Sequence, residues 1–211
     1  MSRSSVRIGC ASAFYGDSQL AARQLVDKGE LDYLVFDYLA EVTMGILAKA
    51  RARDERLGFA VDFVTVAMRD VMADCAANGI KIIANAGGVN VPGCIAALQS
   101  LAQEQGLQLN IAGVYGDDLL SRREEFAREG LSDMESGAPL PDKLASMNAY
   151  LGAQPIAEAL AAGEGNYTVL DEADCEFAHQ QFKNAGGFLK GGKDWAACLR
   201  LADRLDPSYK D

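Results

Sequence analysis

The chain has 211 residues, a formal net charge of −10, 49% hydrophobic residues and 24% charged residues. This length and composition are typical of a globular protein with one full core, or with one such domain and an appendage. The acidic balance argues against nucleic acid or an anionic membrane as partner, because phosphate groups attract positively charged surfaces. No apolar run is long enough to span a bilayer and the first residues do not resemble a secretory signal, so we expect a cytoplasmic protein.

Short apolar runs alternate with helical patterns through most of the chain. The predicted strands are residues 6–11, 31–38, 81–86 and 107–116. The predicted helices are residues 17–29, 41–53, 60–78 and 92–106, and the part of 147–163 that follows Pro155, with Gly163 as its stop. Asp17 or Ser18 is the expected N-cap of the first helix. Gly79 and Gly106 are expected to end later helices, and Pro92 fits a first helical turn. The alternation predicts an α/β fold with an open, mainly parallel, Rossmann-like sheet of four to five strands and helices on both faces.

The regular alternation of predicted strands and helices loosens at residues 121–141 and ends at residue 163. Residues 121–141 mix charges with glycine and proline, which predicts part helix and part loop. Residues 1–163 therefore form the predicted α/β domain, and residues 164–211 form an extension packed on the same domain. Within that extension the sequence predicts one strand, YTVLD, and two helices around a glycine-rich break.

Cysteine and histidine usage narrows the chemistry. The five cysteines are widely spaced without a CxxC motif, and the chain has one histidine, His179. This excludes a site built on several histidines and favours reduced, mostly buried thiols. Cys94 lies in the first turn of a predicted helix, where a thiolate is stabilised, but no base accompanies it in sequence. A structural thiol is the favoured interpretation.

Polar segments follow each predicted strand. They are residues 10–14, 37–41, 85–90 and 116–118. Because ligands bind beyond the carboxyl ends of parallel strands, we expect the four segments to share one rim and one site. The competing interpretation is local, since acidic residues also cap helices and form turns.

Nucleotide motifs are missing from these segments. Neither GxGxxG nor a P-loop occurs, and the IIANAG turn lacks the tyrosine–lysine pair that short-chain dehydrogenases need. NAD(P) is therefore not expected. Gly87 and Gly88 precede a helix, where free amides bind anions, but two glycines also permit close packing or positive φ. Both interpretations stay open.

Four carboxylates are the main catalytic candidates. Asp37 and Glu41 follow one strand, and Asp117 and Asp118 follow another. Clustered carboxylates repel one another unless a cation, a proton or a substrate compensates. They suit a divalent cation or general acid–base chemistry, with the metal itself left unknown. Lys143 and the Arg122–Arg123 pair have a solvated surface as their default interpretation.

Taken together, these segments resemble the acyclic terpene utilisation (AtuA-like) family. The resemblance rests on RIGCASAFYGDSQLAARQLVDKGELDYLVFDYLAEVTMGILAKARARD, IIANAGGVN, GVYGDDLL and NAYLGAQPIAEAL, in that order over residues 6–163. It implies an α/β protein of terpenoid catabolism associated with acyl-CoA intermediates. Longer family members continue with a strand of the type DIVITGR, where this chain has NYTVLDEADCEF.

The resemblance directs attention to the same loops, and the chemistry of their residues suggests roles. Asp37, Glu41, Asp117 and Asp118 are predicted to be catalytic. The predicted substrate-binding residues are Ser12, Phe14, Asn85, Gly87, Gly88, Asn90, Asn148 and Tyr150. The expected partner is a small acyl, acyl-CoA-type intermediate. The alternative is a non-catalytic subunit or homo-oligomeric binding module derived from a shortened family member.

Overall fold

The computed structural model describes residues 5–161 and 167–170. Five strands form one sheet in the order β1-β2-β3-β5-β4. Every neighbouring pair in this sheet is parallel, which confirms the predicted fold class. The strands are β1 Ile8–Cys10, β2 Tyr33–Phe36, β3 Lys81–Ala84, β4 Asn110–Gly113 and β5 Tyr167–Leu170.

Helices connect the strands. They are α1 Ala21–Lys28, α2 Glu41–Arg53, α3 Arg69–Asn78, α4 Val91–Glu104, α5 Arg123–Arg128 and α6 Gln154–Ala161. The bounds of α2 are those predicted from the sequence. Gly79 and Gly106 follow α3 and α4 with φ near +68°, a left-handed conformation that glycine adopts without steric cost. The amides of Ile80 and Leu107 then close each helix on carbonyls five residues earlier, at 2.9 and 2.8 Å.

The start of α1 differs from the prediction. Asp17 and Ser18 were the expected caps, whereas the helix begins at Ala21 after Leu20, which makes no side-chain cap bond. The Asp17 carboxylate instead accepts a hydrogen bond from the Ala13 amide at 3.0 Å. Because the carboxylate stabilises the preceding loop, it is not available to the helix, and the cap prediction was wrong.

The predicted helix at 60–78 is divided. Residues Phe63–Met68 form a π-helical segment and α3 continues from Arg69. The Asp62 carboxylate accepts from the Phe63 amide at 3.0 Å at the start of this segment. The wider turn places the fully buried Phe63 ring 5.1 Å from the Phe36 ring. Segments of π-helix recur at functional sites, which draws attention to this end of the sheet.

The helix predicted after Pro155 is confirmed as α6, which begins at Gln154. Before it, Asn148 pairs with Asp118 in an isolated antiparallel bridge. The Leu119 amide donates to the Met147 carbonyl at 2.7 Å, and the Ala149 amide donates to the Asp117 carbonyl at 2.9 Å. These bonds occupy backbone groups that a helix would need for its own turns, so residues 147–149 pair with the loop after β4 and the helix starts later.

The buried core lies on one face of the sheet. Leu34, Phe36, Ile82 and Ala84 alternate with half-buried neighbours along β2 and β3. Because right-handed crossovers from β1 to β4 advance in one direction, α1, α3 and α4 share this first face. The step from β4 back to β5 reverses direction, which puts α5 and α6 on the second face, and α6 contacts β5.

Two expectations lie beyond what this architecture tests. The YTVLD strand is present as β5, but the two helices predicted after it lie outside the described residues. The division of the chain at residue 163 stays a prediction. Within the described ranges, no helix combines the length and the apolarity needed to cross a membrane.

Candidate functional site

Polar side chains at the ends of β1, β2 and β3 join in one hydrogen-bonded group. Asn85 donates from Nδ2 to the Asp37 carboxylate at 2.8 Å and accepts at Oδ1 from the Tyr38 amide at 2.6 Å. Ser12 donates to the Asp37 carbonyl at 3.4 Å. Ser12 and Asn85 are buried. The structure thus brings together the predicted site residues Ser12, Asp37 and Asn85. We call these three residues and Tyr38 the strand-end cluster.

Aromatic rings and a carboxylate surround this cluster. The Tyr38 ring lies 6.3 Å from Tyr15 and 6.0 Å from Phe63. Burial raises the pKa of Tyr38 above its ordinary value, the charge of Asp62 adds to this, and a hydrogen bond with Ser12 opposes it. Burial also raises the pKa of Asp62. Sequence reasoning missed Tyr15, Tyr38 and Asp62, although Tyr38 continues the period-two alternation of buried residues in β2.

The Asn85–Asn90 turn is packed against its neighbours. Asn90 caps α4 by accepting from the Gly93 amide at 3.1 Å, and its Nδ2 donates to the Glu55 and Leu57 carbonyls. Gly88 has φ +54°, and a Cβ there would lie 2.6 Å from the Gly58 carbonyl oxygen and clash with a side chain of α2. A Cβ on Gly87 would clash with Val91. These contacts favour the close-packing interpretation of the glycines, while ligand contact by the turn stays a prediction.

The two acids after β4 have different surroundings. Asp117 is fully buried and accepts from Asn148 Nδ2 at 2.7 Å. Asp118 is exposed, and its Oδ1 accepts from the Leu120 amide at 2.9 Å. Asp117 therefore joins two distant segments. Asp118 shapes its own turn and keeps a carboxylate in contact with solvent.

Other predicted residues lie apart from these contacts. Glu41 is the exposed first residue of α2, where negative charge favours the helix dipole. Phe14 and Tyr150 are exposed. Burial raises the pKa of the Cys94 thiol to about 12, which keeps it protonated near neutral pH and favours a structural thiol.

In the described part of the chain, no set of donor side chains is arranged to bind a metal ion. There, no group of three or more histidine, cysteine or acidic side chains is placed to hold an ion. Arg122 and Arg123, considered as anion contacts, pair with Glu125 and Asp142 respectively. The Arg122 side chain is 40% exposed, in agreement with the surface interpretation, whereas the Arg123 side chain is only 20% exposed.

A cavity of ≈ 500 Å³ opens between α2 and the loops around residues 118–121 and 145–148. This volume falls in the range of small-molecule sites. Its lining combines small apolar side chains with hydroxyl, amide and charged groups. The lining residues are Ala48, Arg51, Ala52, Val89, Asp118, Leu120, Ser121, Ala145, Ser146 and Asn148. We call this space the α2 cavity.

Two predicted residues, Asp118 and Asn148, line the α2 cavity, and most of its other lining was missed. Arg51 donates from Nη1 to the Val89 carbonyl, which ties its guanidinium to the end of the Asn85–Asn90 turn. The cavity therefore carries a fixed positive charge and the Asp118 carboxylate. Arg51 could not be singled out from sequence, because basic residues in the last turn of a helix are common.

Comparison with known proteins identifies the family of the chain. A family model described as acyclic terpene utilisation family protein AtuA matches residues 6–165. The chain belongs to this family. Membership of the AtuA family confirms the resemblance drawn from the motifs and supports a role in acyclic terpene utilisation. No curated protein and no solved structure matches the chain.

Proposed function

We propose that this AtuA-family protein binds a small acyl compound of acyclic terpenoid catabolism in the α2 cavity. The observation that carries the proposal is the cavity itself, with its small-molecule volume and mixed lining. Ala48, Ala52 and Leu120 offer apolar contact for a branched hydrocarbon chain. Arg51 offers a positive charge to a carboxylate or to the phosphates of a coenzyme A thioester.

The cavity also lies near the edge of the sheet where ligands of parallel α/β folds bind. Val89 follows β3, and Asp118 follows β4, so the carboxyl ends of two strands contribute to its lining. This position agrees with the general rule for open parallel sheets. The rule concerns the fold class, and the chemistry of the ligand rests on the lining residues alone.

Asp118 is our first candidate for a catalytic group. Its carboxylate is exposed and lines the cavity, so it has access to a bound ligand's hydroxyl or acidic C–H. Asn148 and Ser146 lie beside the same space and can donate hydrogen bonds to a carbonyl oxygen. Asp37, Glu41 and Asp117 remain catalytic proposals of second rank, since they do not line the cavity.

A cavity-filling variant tests the proposal. Ala52 is exposed on α2 and lines the cavity, so Ala52→Phe fills the space at little cost to the core. Ala96→Phe is the matched control, because Ala96 is an exposed helical alanine on α4 outside the lining. Thermal-shift and calorimetric titrations use branched acyl carboxylates and their coenzyme A thioesters as separate probes.

We expect one probe class at about 100 times its Kd to raise the melting midpoint of the native chain and of Ala96→Phe by roughly 5–10 °C. Ala52→Phe is expected to lose at least about tenfold in affinity, or roughly 1.4 kcal/mol. Equal affinity in the two variants would show that the cavity is not the acyl site. A shift with the thioester alone would show that binding needs the coenzyme moiety, as expected if Arg51 contacts its phosphates.

The alternative, a self-associating binding module, is favoured by one surface. Val42 and Ile46 lie one turn apart on α2 and are 75% and 49% exposed. Such apolar strips on helices are common in interfaces between copies of a chain. Light scattering on the native chain and on Val42→Lys tests this alternative. A native dimer that becomes monomeric in Val42→Lys supports the self-associating module, and a monomeric native chain rejects it.

A further inference from the structure

Two oppositely charged side chains line the α2 cavity without pairing. Arg51 lies in the last turn of α2, and Asp118 lies in the loop after β4. Among the described residues, neither side chain forms an ion pair, with the other or with a third residue. Arginines elsewhere on the fold, such as Arg23 and Arg69, do pair with carboxylates. The charges of Arg51 and Asp118 are therefore accessible to a molecule in the cavity.

The Arg51 side chain is held along its length. Its Nη1 donates to the Val89 carbonyl, and its stem packs on Gly58, where a Cβ would lie 2.9 Å from Arg51 Cβ and 3.2 Å from Arg51 Cδ. The Gly58 carbonyl also accepts a hydrogen bond from the Val89 amide at 2.9 Å. The bond to Val89 uses only part of the guanidinium's donor fork, so the rest can bind an oxyanion. Because the side chain is already ordered, binding costs less conformational entropy.

The Asp118 carboxylate is held in a similar way. Its Oδ1 accepts from the Leu120 amide at 2.9 Å, and its backbone is fixed by the antiparallel bridge to Asn148. From the described residues, Oδ2 accepts no hydrogen bond. A carboxylate fixed through one oxygen and open at the other is suited to accept a hydrogen bond from a ligand's donor.

The charge of the lining limits which anion fits. Arg51 and Asp118 are its two charged residues, so their formal charges cancel. One guanidinium matches one carboxylate in geometry and charge. The several phosphates of coenzyme A would instead bring negative charge near Asp118, with no second cation in the lining to compensate. The lining therefore favours a free monocarboxylate over a coenzyme A thioester.

We infer that the ligand is a branched hydroxy acid, whose carboxylate binds Arg51 and whose hydroxyl donates to Asp118 Oδ2. The inference rests on the proposed function, because it assigns a substrate class to the same cavity. The hydrocarbon branch packs on Ala48, Ala52 and Leu120. An ammonium group would also suit Asp118. Acyclic terpenes, however, are hydrocarbons with oxygenated derivatives, so membership of the family favours a hydroxyl.

Matched small acids test this inference on the full-length chain. α-Hydroxyisocaproate, isocaproate and leucine share one branched skeleton and carry a hydroxyl, a hydrogen or an ammonium group at the same carbon. β-Hydroxyisovalerate and isovalerate repeat the comparison with the hydroxyl at the next carbon. In calorimetric titrations we expect at least one hydroxy acid to bind about tenfold more tightly than its parent acid, because it adds a hydrogen bond to a charged acceptor. Leucine is expected to bind more weakly than α-hydroxyisocaproate.

Two variants test the polar contacts separately. Arg51→Met keeps the apolar stem and should weaken binding of every acid by at least about tenfold. Arg53→Met is the matched control, since Arg53 is exposed in the same helical turn outside the lining, and should change affinity less than about twofold. Asp118→Asn keeps an oxygen for the Leu120 amide and loses the charged acceptor. It should reduce the preference for the hydroxy acid over its parent to less than about twofold.

The outcomes distinguish this inference from the proposed function. Equal affinity for hydroxy and parent acids, with both weakened in Ala52→Phe, would overturn the inference and leave acyl binding in the cavity intact. Tighter binding of leucine, binding of isovaleryl-coenzyme A alone, or a hydroxyl preference that survives Asp118→Asn would overturn it as well. Affinities unchanged in both Arg51→Met and Ala52→Phe, or no binding by any of these acids or the thioester, would overturn both.

Discussion

Two regions near one edge of the sheet use similar polar residues in different ways. In the strand-end cluster, Asn85 is buried and its amide bonds Asp37 and Tyr38. In the α2 cavity, Asn148 bonds Asp117 from a half-buried position and also faces open space. An asparagine after a parallel strand therefore does not by itself indicate a ligand site. What separates the two regions is access to unfilled volume.

The comparison assigns different consequences to substitution in each region. Changes in the strand-end cluster and its turn should lower the free energy of unfolding, because buried polar groups lose their partners there. Changes that only line the cavity should alter ligand affinity with little effect on stability. Four substitutions, ordered from the largest expected effect to the smallest, test this division.

Gly88→Ala should have the largest effect. The new Cβ meets the Gly58 carbonyl oxygen at 2.6 Å and the α2 side chain packed on the turn, at a φ of +54°. Overpacking and the left-handed conformation together should lower the free energy of unfolding by about 3 kcal/mol, measured by urea denaturation. Gly137→Ala is the control, since its φ is +69° with nothing within 4 Å, and should cost about 1 kcal/mol. Equal losses would mean that the turn is not tightly packed.

Asn85→Ala should rank second. It leaves the buried Tyr38 amide without its 2.6 Å acceptor and removes a donor from Asp37, for an expected loss of about 2 kcal/mol. Asn78→Ala, at an exposed site where Nδ2 bonds the Asp74 carbonyl, should cost less than about 0.5 kcal/mol. Ligand affinity of folded Asn85→Ala should match the native chain. A selective loss of binding would instead make Asn85 a ligand residue and break the comparison.

Asn148→Ala tests the residue shared between structure and cavity. It removes the donor that bonds the buried Asp117 carboxylate at 2.7 Å, so the free energy of unfolding should fall by about 1.5 kcal/mol. Because Asn148 also lines the cavity, ligand affinity should fall as well. Ser121→Ala, an exposed lining position, should lower affinity without a measurable stability change. A stability loss in Ser121→Ala would contradict the division between the regions.

Asp62→Asn should have the smallest effect and a defined pH dependence. Burial raises the folded-state pKa of Asp62 above the ordinary 3.8, so its charged form disfavours folding and stability falls as the pH rises through that raised pKa. The variant should be more stable than the native chain at pH 7, by no more than about 0.5 kcal/mol after solvent screening. The gain should vanish below about pH 3.8. A gain that persists in acid would point to packing instead of charge.

Several elements followed from sequence because their signals are local. The bounds of α2 and the stops at Gly79 and Gly106 depend on residues within a few positions of each helix end. The α/β class followed from the alternation of periods. Where the N-cap prediction for α1 failed, a competing contact in the preceding loop had redirected the side chain. The Asp17 carboxylate bonds the Ala13 amide instead of an amide of the helix.

The lining of the candidate site was predicted less completely, because it comes from segments that lie far apart in the sequence. The strand-end residues were identified because parallel strands bring their carboxyl ends together. Arg51, Ser121 and Ser146 were not, because they line the cavity from α2 and from two loops distant in sequence. No motif marks an alanine or serine that faces a cavity. The charge of Asp62 acts on Tyr38 from the residue before the π-helical segment, and the helical pattern did not distinguish that segment from an α-helix.

Sequence alone indicated the strands, the helical segments, the parallel sheet and the family, since these depend on periodic patterns and on motifs in order along the chain. Tertiary structure alone decided which polar groups are bonded within the fold and which face a cavity. It also decided that the core occupies one face of the sheet, with an exposed apolar side chain such as Ile8 on the other. These outcomes depend on contacts such as Asn85 with Asp37 and Asp117 with Asn148, whose partners lie far apart along the chain. Hydrogen-bond satisfaction and burial are set by such partners in space.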